Sequence, residues 1–359
     1  MLPVCVATLL LALGAQAQPS FTNIGLPPSA FATGLAPQKL AALAIEELQT
    51  TYRFTDIDLA QFLVNTECLE ATFDSFAAWG VGMNPNIFGQ GPAPLGNPTK
   101  ANLSPEIQPW VEEVAHNEIG HVRILKEFLG PDSVPCPQVE IRGAFEALFN
   151  LAFGTTGVAW NPYQDDIHFV LSMYALEEIG ATGDQGVTGI SATNGNLTAT
   201  ALFGGLAGSA WAQSAADRYI LWERRNETVP EFNVTVAEAF ARISALRDTF
   251  DGAIKIDQPL LYLGGINIVP TDGNGVTLAR TPQQVLNILT LGSGTGKGGF
   301  FPNGVNGRIN TPVPLDPSAP ASLINNANLP PVIVPQGQET SVNPFALPPA
   351  AQPDATPAP

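Results

Sequence analysis

Apolar residues recur every three or four positions along the middle of the chain, a spacing typical of amphipathic helices. Gly- and Pro-rich stretches separate these segments, and alternating strand patterns are weak. Four long helices and two shorter ones favour an all-α fold built as a four-helix bundle. The predicted helices lie at about 56–79, 104–129, 139–149, 165–181, 202–226 and 235–250.

Local signals define several helix ends. Thr55 precedes the first helix as an N-cap, and Gly80 follows its last residue. Thr235 and Glu238 have the spacing of a capping box at the start of the last helix. Between the third and fourth long helices, the small and polar residues at 182–200 predict a linker.

Composition divides the chain into five regions. The first has a short apolar run that ends in a small-x-small motif, which is typical of a secretory signal peptide and too short for a membrane span. Residues 259–310 contain one more predicted helix, at about 282–291, and a Gly-rich loop that lacks the spacing of a phosphate-binding loop. The regions are a signal peptide (1–17), a leader (18–36), the bundle (37–258), a C-terminal extension packed on it (259–310) and a Pro-rich low-complexity tail (311–359).

The charge and the secretion signal narrow the classes of partner. A net charge of −17 argues against nucleic acid or an anionic membrane as a partner, and no later stretch is long and apolar enough for a membrane span. We therefore expect a secreted protein, for which the acidic surface and the Pro-rich tail are compatible with cell-wall or other extracellular association. The sequence does not indicate an oligomeric state.

Secretion would expose the chain to oxidation and to glycosylation. Cys68 and Cys136 either form one disulfide or are two separate buried thiols. N-glycosylation requires the Asn-x-Ser/Thr sequence. The candidate sites are Asn102, Asn196, Asn226 and Asn233.

The second long helix carries an ionisable pair on its apolar face. Glu118 and His121 are one turn apart, and at about 100° per residue they lie beside the apolar positions of the helix. Glu113 and His116 have the same spacing but lie about 140° or more away, on the face expected to be in solvent. The inward pair is the stronger candidate for a binding site.

Other helices add carboxylates that could meet this pair. Glu67, Glu70 and Asp74 form one stripe on the first helix, which is either a solvated acidic face or part of an interior site, with Glu67 the most inward. On the third long helix, Glu177 has more apolar neighbours than Glu178. Several buried carboxylates and an imidazole require a compensating charge, and iron, manganese or zinc would provide it.

These residues resemble a known family. The segments at 58–71, 118–121 and 176–180, together with Arg280-Thr-Pro-x-x-Val and the Gly-Gly-Phe-Phe-Pro-Asn-Gly run at 298–304, are similar to the ferritin-like desiccation-related proteins of plants and algae and to related stress-induced secreted proteins of fungi. The resemblance covers about residues 37–308. It implies a ferritin-like four-helix bundle with an additional C-terminal helix.

The resemblance also implies a metal site of iron or manganese. In carboxylate-bridged dimetal bundles two helices each give a Glu and two each give a Glu-x-x-His motif. Glu70 and Gln213 are weaker candidates, and Ala216 stands where the second His is expected, so the resemblance implies one metal ion or two held unequally. The metal ligands it implies are Glu67, Glu118, His121 and Glu177.

Three functional hypotheses remain open from the sequence. The first is metal binding, with the altered fourth helix arguing against enzymatic turnover. The second is a structural or stress-protective extracellular protein whose metal site is a relic. The third, hydrolysis by paired carboxylates as in glycosidases, rests on the acid pairs alone.

Overall fold

The computed structural model describes residues 53–89, 91–251, 256–262, 265–272 and 275–312. The predicted signal peptide and leader, the first residues assigned to the bundle and nearly all of the Pro-rich tail lie outside the described residues. The regions that carry the candidate site residues all lie inside them.

The described part of the chain is mostly helical, as the sequence predicts. Its strands form two short antiparallel hairpins, with Thr228 opposite Thr235 in one and Leu261 opposite Ile266 in the other. The strands are β1 Thr228–Val229, β2 Val234–Thr235, β3 Leu261–Tyr262 and β4 Gly265–Ile266. The helices are α1 Asp56–Trp79, α2 Pro85–Phe88, α3 Gln108–Leu129, α4 Arg142–Phe153, α5 Asp166–Asn194, α6 Leu197–Glu223, α7 Val236–Phe250 and α8 Pro282–Leu289. Among these, no helix is both long and apolar enough to cross a membrane.

Four long helices form an antiparallel bundle, which confirms the predicted ferritin-like architecture. Near the start of α1, Gln61 donates a hydrogen bond to the carbonyl of Asp132 just after α3, and near its end the carbonyl of Ala78 accepts one from Gln108 at the start of α3. Helices α5 and α6 form a hairpin joined by two residues. Asn194, at the end of α5, donates to the carbonyl of Phe54 before α1, so α1 and α5 are also antiparallel.

Capping explains why the predicted bounds of α1 are correct. Thr55 accepts a hydrogen bond from the Asp58 amide, and the Asp58 carboxylate accepts one from the Thr55 amide, which completes a capping box. Gly80 ends the helix with a φ of 74°, a left-handed conformation that glycine adopts without strain. Thr235 likewise accepts from the Glu238 amide at the start of α7.

The predicted linker at 182–200 is wrong, because α5 continues to Asn194 and α6 begins at Leu197. The glycines in this stretch let the C-terminal extension approach the helix. A Cβ on Gly186 would lie 1.8 Å from the Arg280 carbonyl oxygen, and one on Gly183 would lie 2.9 Å from a methyl of Val285. Tertiary packing thus overrides the low helix propensity of glycine.

A buried disulfide fixes α1 to the segment that follows α3. It joins Cys68 and Cys136, whose Cα atoms are 5.6 Å apart, and both residues are fully buried. Of the two alternatives that the sequence leaves open, the structure therefore contains the disulfide. The bridge lies next to Glu67 on α1, close to the candidate site.

Candidate metal centre

Three predicted ligands meet in the interior of the bundle. One ligand atom each from Glu67, Glu118 and His121 lies within 4.8 Å of the other two. The His121 Nδ1 atom is 3.0 Å from a Glu67 carboxylate oxygen and 3.2 Å from a Glu118 carboxylate oxygen. Both glutamates are 2% exposed, so the group is screened from bulk water.

The amphipathic pattern of α3 places two of these side chains. Glu118 lies on the buried stripe of the helix, and His121 follows one turn later on the same side. Glu113 and His116, which repeat the spacing, are exposed, and the His116 ring packs against Trp79 with ring centroids 4.7 Å apart. The opposite orientations predicted for the two Glu-x-x-His motifs are therefore observed.

The proton distribution in this group follows from burial and charge. Burial raises the pKa of Glu67 to about 7, although the neighbouring His121 lowers it in part. Burial also lowers the pKa of His121, but the charges of Glu118 and Glu67 outweigh that effect and raise it to about 12. For Glu118, the same imidazolium outweighs burial and lowers the pKa. In the metal-free protein His121 is thus an imidazolium that donates to carboxylate oxygens.

Gln213 connects the fourth helix of the bundle, α6, to this group. Its Nε2 donates a 2.7 Å hydrogen bond to Glu118. Its Oε1 is buried and has no hydrogen-bond partner among the described residues, which is costly for a polar atom in a dry interior. Ala216, one turn later, offers no ligand atom. The site is therefore asymmetric, with a complete half on α1 and α3 and a neutral amide on α6.

Two further predicted ligands lie close by but outside the 4.8 Å group. Glu70 packs against α5 at Gly180, where a Cβ would lie 2.6 Å from its carboxylate oxygen. Glu177 is 2% exposed and faces Asp74 and Asp217 as well as the first group. Burial raises the pKa of Glu177 well above its usual value, and these neighbouring acids raise it further.

The neighbouring acid on α5 has a different role. Glu178 pairs with Arg218 at 2.5 Å and with Arg247 at 3.1 Å, and all three side chains are buried. Arg247 also pairs with Asp257, which lies just before the C-terminal extension and pairs in turn with Arg280 of the extension. This network joins the bundle to the extension and neutralises Glu178.

The predicted ligand set leaves out two buried carboxylates. Asp184 is 2% exposed and close to Glu67, but it lies in the stretch predicted as a linker. Asp217 is fully buried; its place directly after Ala216 makes it a possible substitute ligand, but on a helix it is rotated by about 100° from that position. Burial raises the pKa of both aspartates well above the usual value.

A second acidic group in the described residues already has its countercharge. Asp248, Asp251 and Asp257 also bring ligand atoms within 4.8 Å of one another. However, the guanidinium of Arg280 pairs with Asp251 at 2.9 Å and with Asp257. Positive side chains thus occupy the place that a cation would take in this group.

The donor set at the bundle centre fits a first-row metal ion. Two carboxylates supply two negative charges, and a neutral imidazole supplies nitrogen, a combination that suits iron, manganese or zinc. Binding requires loss of the His121 proton, because an imidazolium has no free lone pair. Fold and centre together define a ferritin-like bundle in which one half of a candidate metal site is well formed.

Comparison with known proteins agrees with this class. A family model described as a ferritin-like domain matches residues 55–209. The chain is 35% identical over 271 residues to the ferritin-like catalase Nec2 of Nesocodon mauritianus, covering 71% of this chain and 84% of that protein. It is 32% identical over 249 residues to the desiccation-related protein PCC13-62 of Craterostigma plantagineum, covering 66% and 78%. No solved structure matches the chain significantly. The chain belongs to the ferritin-like family of desiccation-related proteins, as its motifs indicate.

Proposed function

We propose that this protein is a secreted, stress-related ferritin-like protein that binds one iron or manganese ion through Glu67, Glu118 and His121. The observation that carries the proposal is the convergence of these three side chains in the dry interior of the bundle. A relative named as a desiccation-related protein supports the link to stress.

Each side chain has a defined task in this proposal. Glu67 and Glu118 neutralise the ion, and His121 accepts it in place of a proton. Gln213 orients Glu118 through its amide hydrogen bond, as partners of metal ligands commonly do. A bound iron or manganese ion would supply Lewis acidity and a one-electron redox couple. The neutral Gln213 and the missing His at Ala216 favour a single ion at this centre.

Secretion is part of the proposal and has its own support. The sequence begins with a predicted signal peptide, and the structure contains a disulfide, which persists mainly in oxidising compartments. All four predicted glycosylation sites are exposed in the structure. Mass spectrometry of the protein from culture medium, before and after deglycosylation, tests this part. An N-terminus at Met1 or an unchanged mass would contradict it.

Catalase activity is a second candidate, favoured by the 35% identity to a protein named as a ferritin-like catalase. Oxygen release from hydrogen peroxide by the manganese- or iron-loaded protein measures it directly. The Glu118→Ala/His121→Ala variant is the control. Equal rates for the two proteins would exclude this centre as the source of the activity.

Elemental analysis tests metal binding itself. The mature protein is loaded with Fe(II) or Mn(II), passed through a desalting column and compared with the Glu118→Ala/His121→Ala variant. We expect the native protein to retain about one more ion per chain than the variant. Equal metal contents would refute the proposal and leave the alternative, a stress-protective structural protein with a relic site.

A further inference from the structure

A second set of carboxylates adjoins the first group, on the next turns of the bundle helices. Asp74 comes from α1, Glu177 from α5 and Asp217 from α6. Their exposed fractions are 1%, 2% and 0%. Three helices thus bring three acids into the dry core without any access to bulk water.

Helix directions place these three residues at one level. Because α1 and α5 are antiparallel and Glu70 touches Gly180, Asp74 lies one turn beyond Glu70 at the height of Glu177. A hydrogen bond of 3.4 Å from Ser214 to Glu178 brings the following turn of α6, with Asp217, to the same height. Electrostatic contacts link each of the three acids to the other two.

Oxygen atoms at this level are left without hydrogen bonds. Both carboxylate oxygens of Asp74 and both of Asp217 are buried and have no partner among the described residues. The hydroxyl of Tyr163, which is next to Asp74 and 4% exposed, is also without a partner. Buried polar atoms are rarely left unpaired, and each exception needs an explanation.

Positive side chains form ion pairs with some of the buried acids in the bundle but not with these three. His121 pairs with Glu67 and Glu118, and two buried arginines pair with Glu178, which adjoins Glu177 in the sequence. Within the described ranges, no Lys, Arg or His forms an ion pair with Asp74, Glu177 or Asp217. Glu67, Glu118 and Glu178 thus have countercharges within the protein, whereas these three acids, like the buried Glu70 and Asp184, have none among the described residues.

We propose that Asp74, Glu177 and Asp217 form a second cation site, about one to two helical turns along the bundle from Glu67 and with ligands of its own. An all-oxygen donor set selects a hard divalent ion such as Mn²⁺, Mg²⁺ or Ca²⁺, whereas the first group adds an imidazole. The three carboxylates are farther apart than the 4.8 Å that limits the first group. A bound ion would draw them together by side-chain rotation, and the Tyr163 hydroxyl lies within reach as a further oxygen donor.

Mn²⁺ binding to four proteins tests the proposal. These are the native protein, His121→Ala, the isosteric double variant Asp74→Asn/Asp217→Asn, and the control Asp184→Asn, which removes a different buried carboxylate. Each is freed of metal by a chelator, checked for helix content by circular dichroism, and titrated with Mn²⁺ in equilibrium dialysis. The asparagines remove charge without adding volume, so the metal-free double variant is expected to fold.

If the second site exists, the native protein should bind about two Mn²⁺ ions per chain, and His121→Ala and the double variant should bind about one each. Asp184→Asn should keep the ion at the second site. A Mg²⁺ excess on the order of a hundredfold should displace the ion from His121→Ala, since that site has oxygen ligands alone.

Equal Mn²⁺ content in the native protein and the Asp74→Asn/Asp217→Asn variant would overturn the second site. Retention of Mn²⁺ by His121→Ala in excess Mg²⁺ would overturn its assignment as a hard-cation site. Failure of the first site gives a different pattern, in which the native protein and His121→Ala bind equally and the double variant binds nothing.

Discussion

The disulfide between Cys68 and Cys136 should provide a large part of the stability of the bundle. The bridge closes a loop with a sequence separation of 68 residues. The bridge lowers the conformational entropy of the unfolded chain, which raises the free energy of unfolding by about 4 kcal/mol at 25 °C. Reduction of the bridge in the native sequence should lower the free energy of unfolding by roughly that amount. Residual structure in the unfolded state makes the decrease smaller, because it already restricts the unfolded chain.

A variant separates the covalent effect from packing. In Cys68→Ala/Cys136→Ala two fully buried sulfur atoms are also lost, which should cost about 1–2 kcal/mol beyond reduction. Urea unfolding followed by circular dichroism, with and without reductant, measures both differences, and the variant should not respond to reductant. A difference below about 1 kcal/mol between the oxidised and reduced native protein would refute the reasoning from loop entropy.

Two further predictions concern α5. Gly186→Ala should lower the free energy of unfolding by at least about 1–3 kcal/mol, because the added Cβ would clash with the Arg280 carbonyl. The control Gly208→Ala, on the open face of α6, should raise the free energy of unfolding by about 0.5–1 kcal/mol. Thermal unfolding of both variants measures these changes, and equal losses of stability in the two variants would contradict the prediction. Asp165 and His168 form an ion pair at the N-terminus of α5. Burial disfavours the charged forms of both residues, but the hydrogen bonds between them lower the pKa of Asp165 from 3.8 to about 2 and raise the pKa of His168. The pair should therefore stabilise the protein above about pH 4, and this stability should be lost towards pH 2 and again as the pH rises through the raised His168 pKa; a melting-temperature difference from Asp165→Asn that is independent of pH would contradict this.

Helix ends and side-chain orientations were predictable where the signals in the sequence are local. The caps at Thr55, Gly80 and Thr235 lie within a turn of the helix ends that they define, so the bounds of α1 and α7 were predictable. The inward orientation of Glu118 and His121 was predictable as well, because it depends only on the period of a single helix.

Features that depend on contacts with other parts of the chain were not predictable. The glycines at 183 and 186 look like linker residues until the extension that packs on them is known. The neighbours of Glu177 depend on how far α5 is shifted along its axis relative to α1. The period of a single helix predicts on which side of the helix a residue lies, but not this shift. Its contacts with Asp74 and Asp217 therefore required the structure.

A crystal structure of the Mn²⁺-loaded protein, with anomalous diffraction data, tests the central claim most directly. The account predicts an anomalous peak about 2–2.5 Å from carboxylate oxygens of Glu67 and Glu118 and from a ring nitrogen of His121. In His121→Ala crystals grown and loaded in the same way, that peak should be lost. A native map without density between these three side chains would contradict the account.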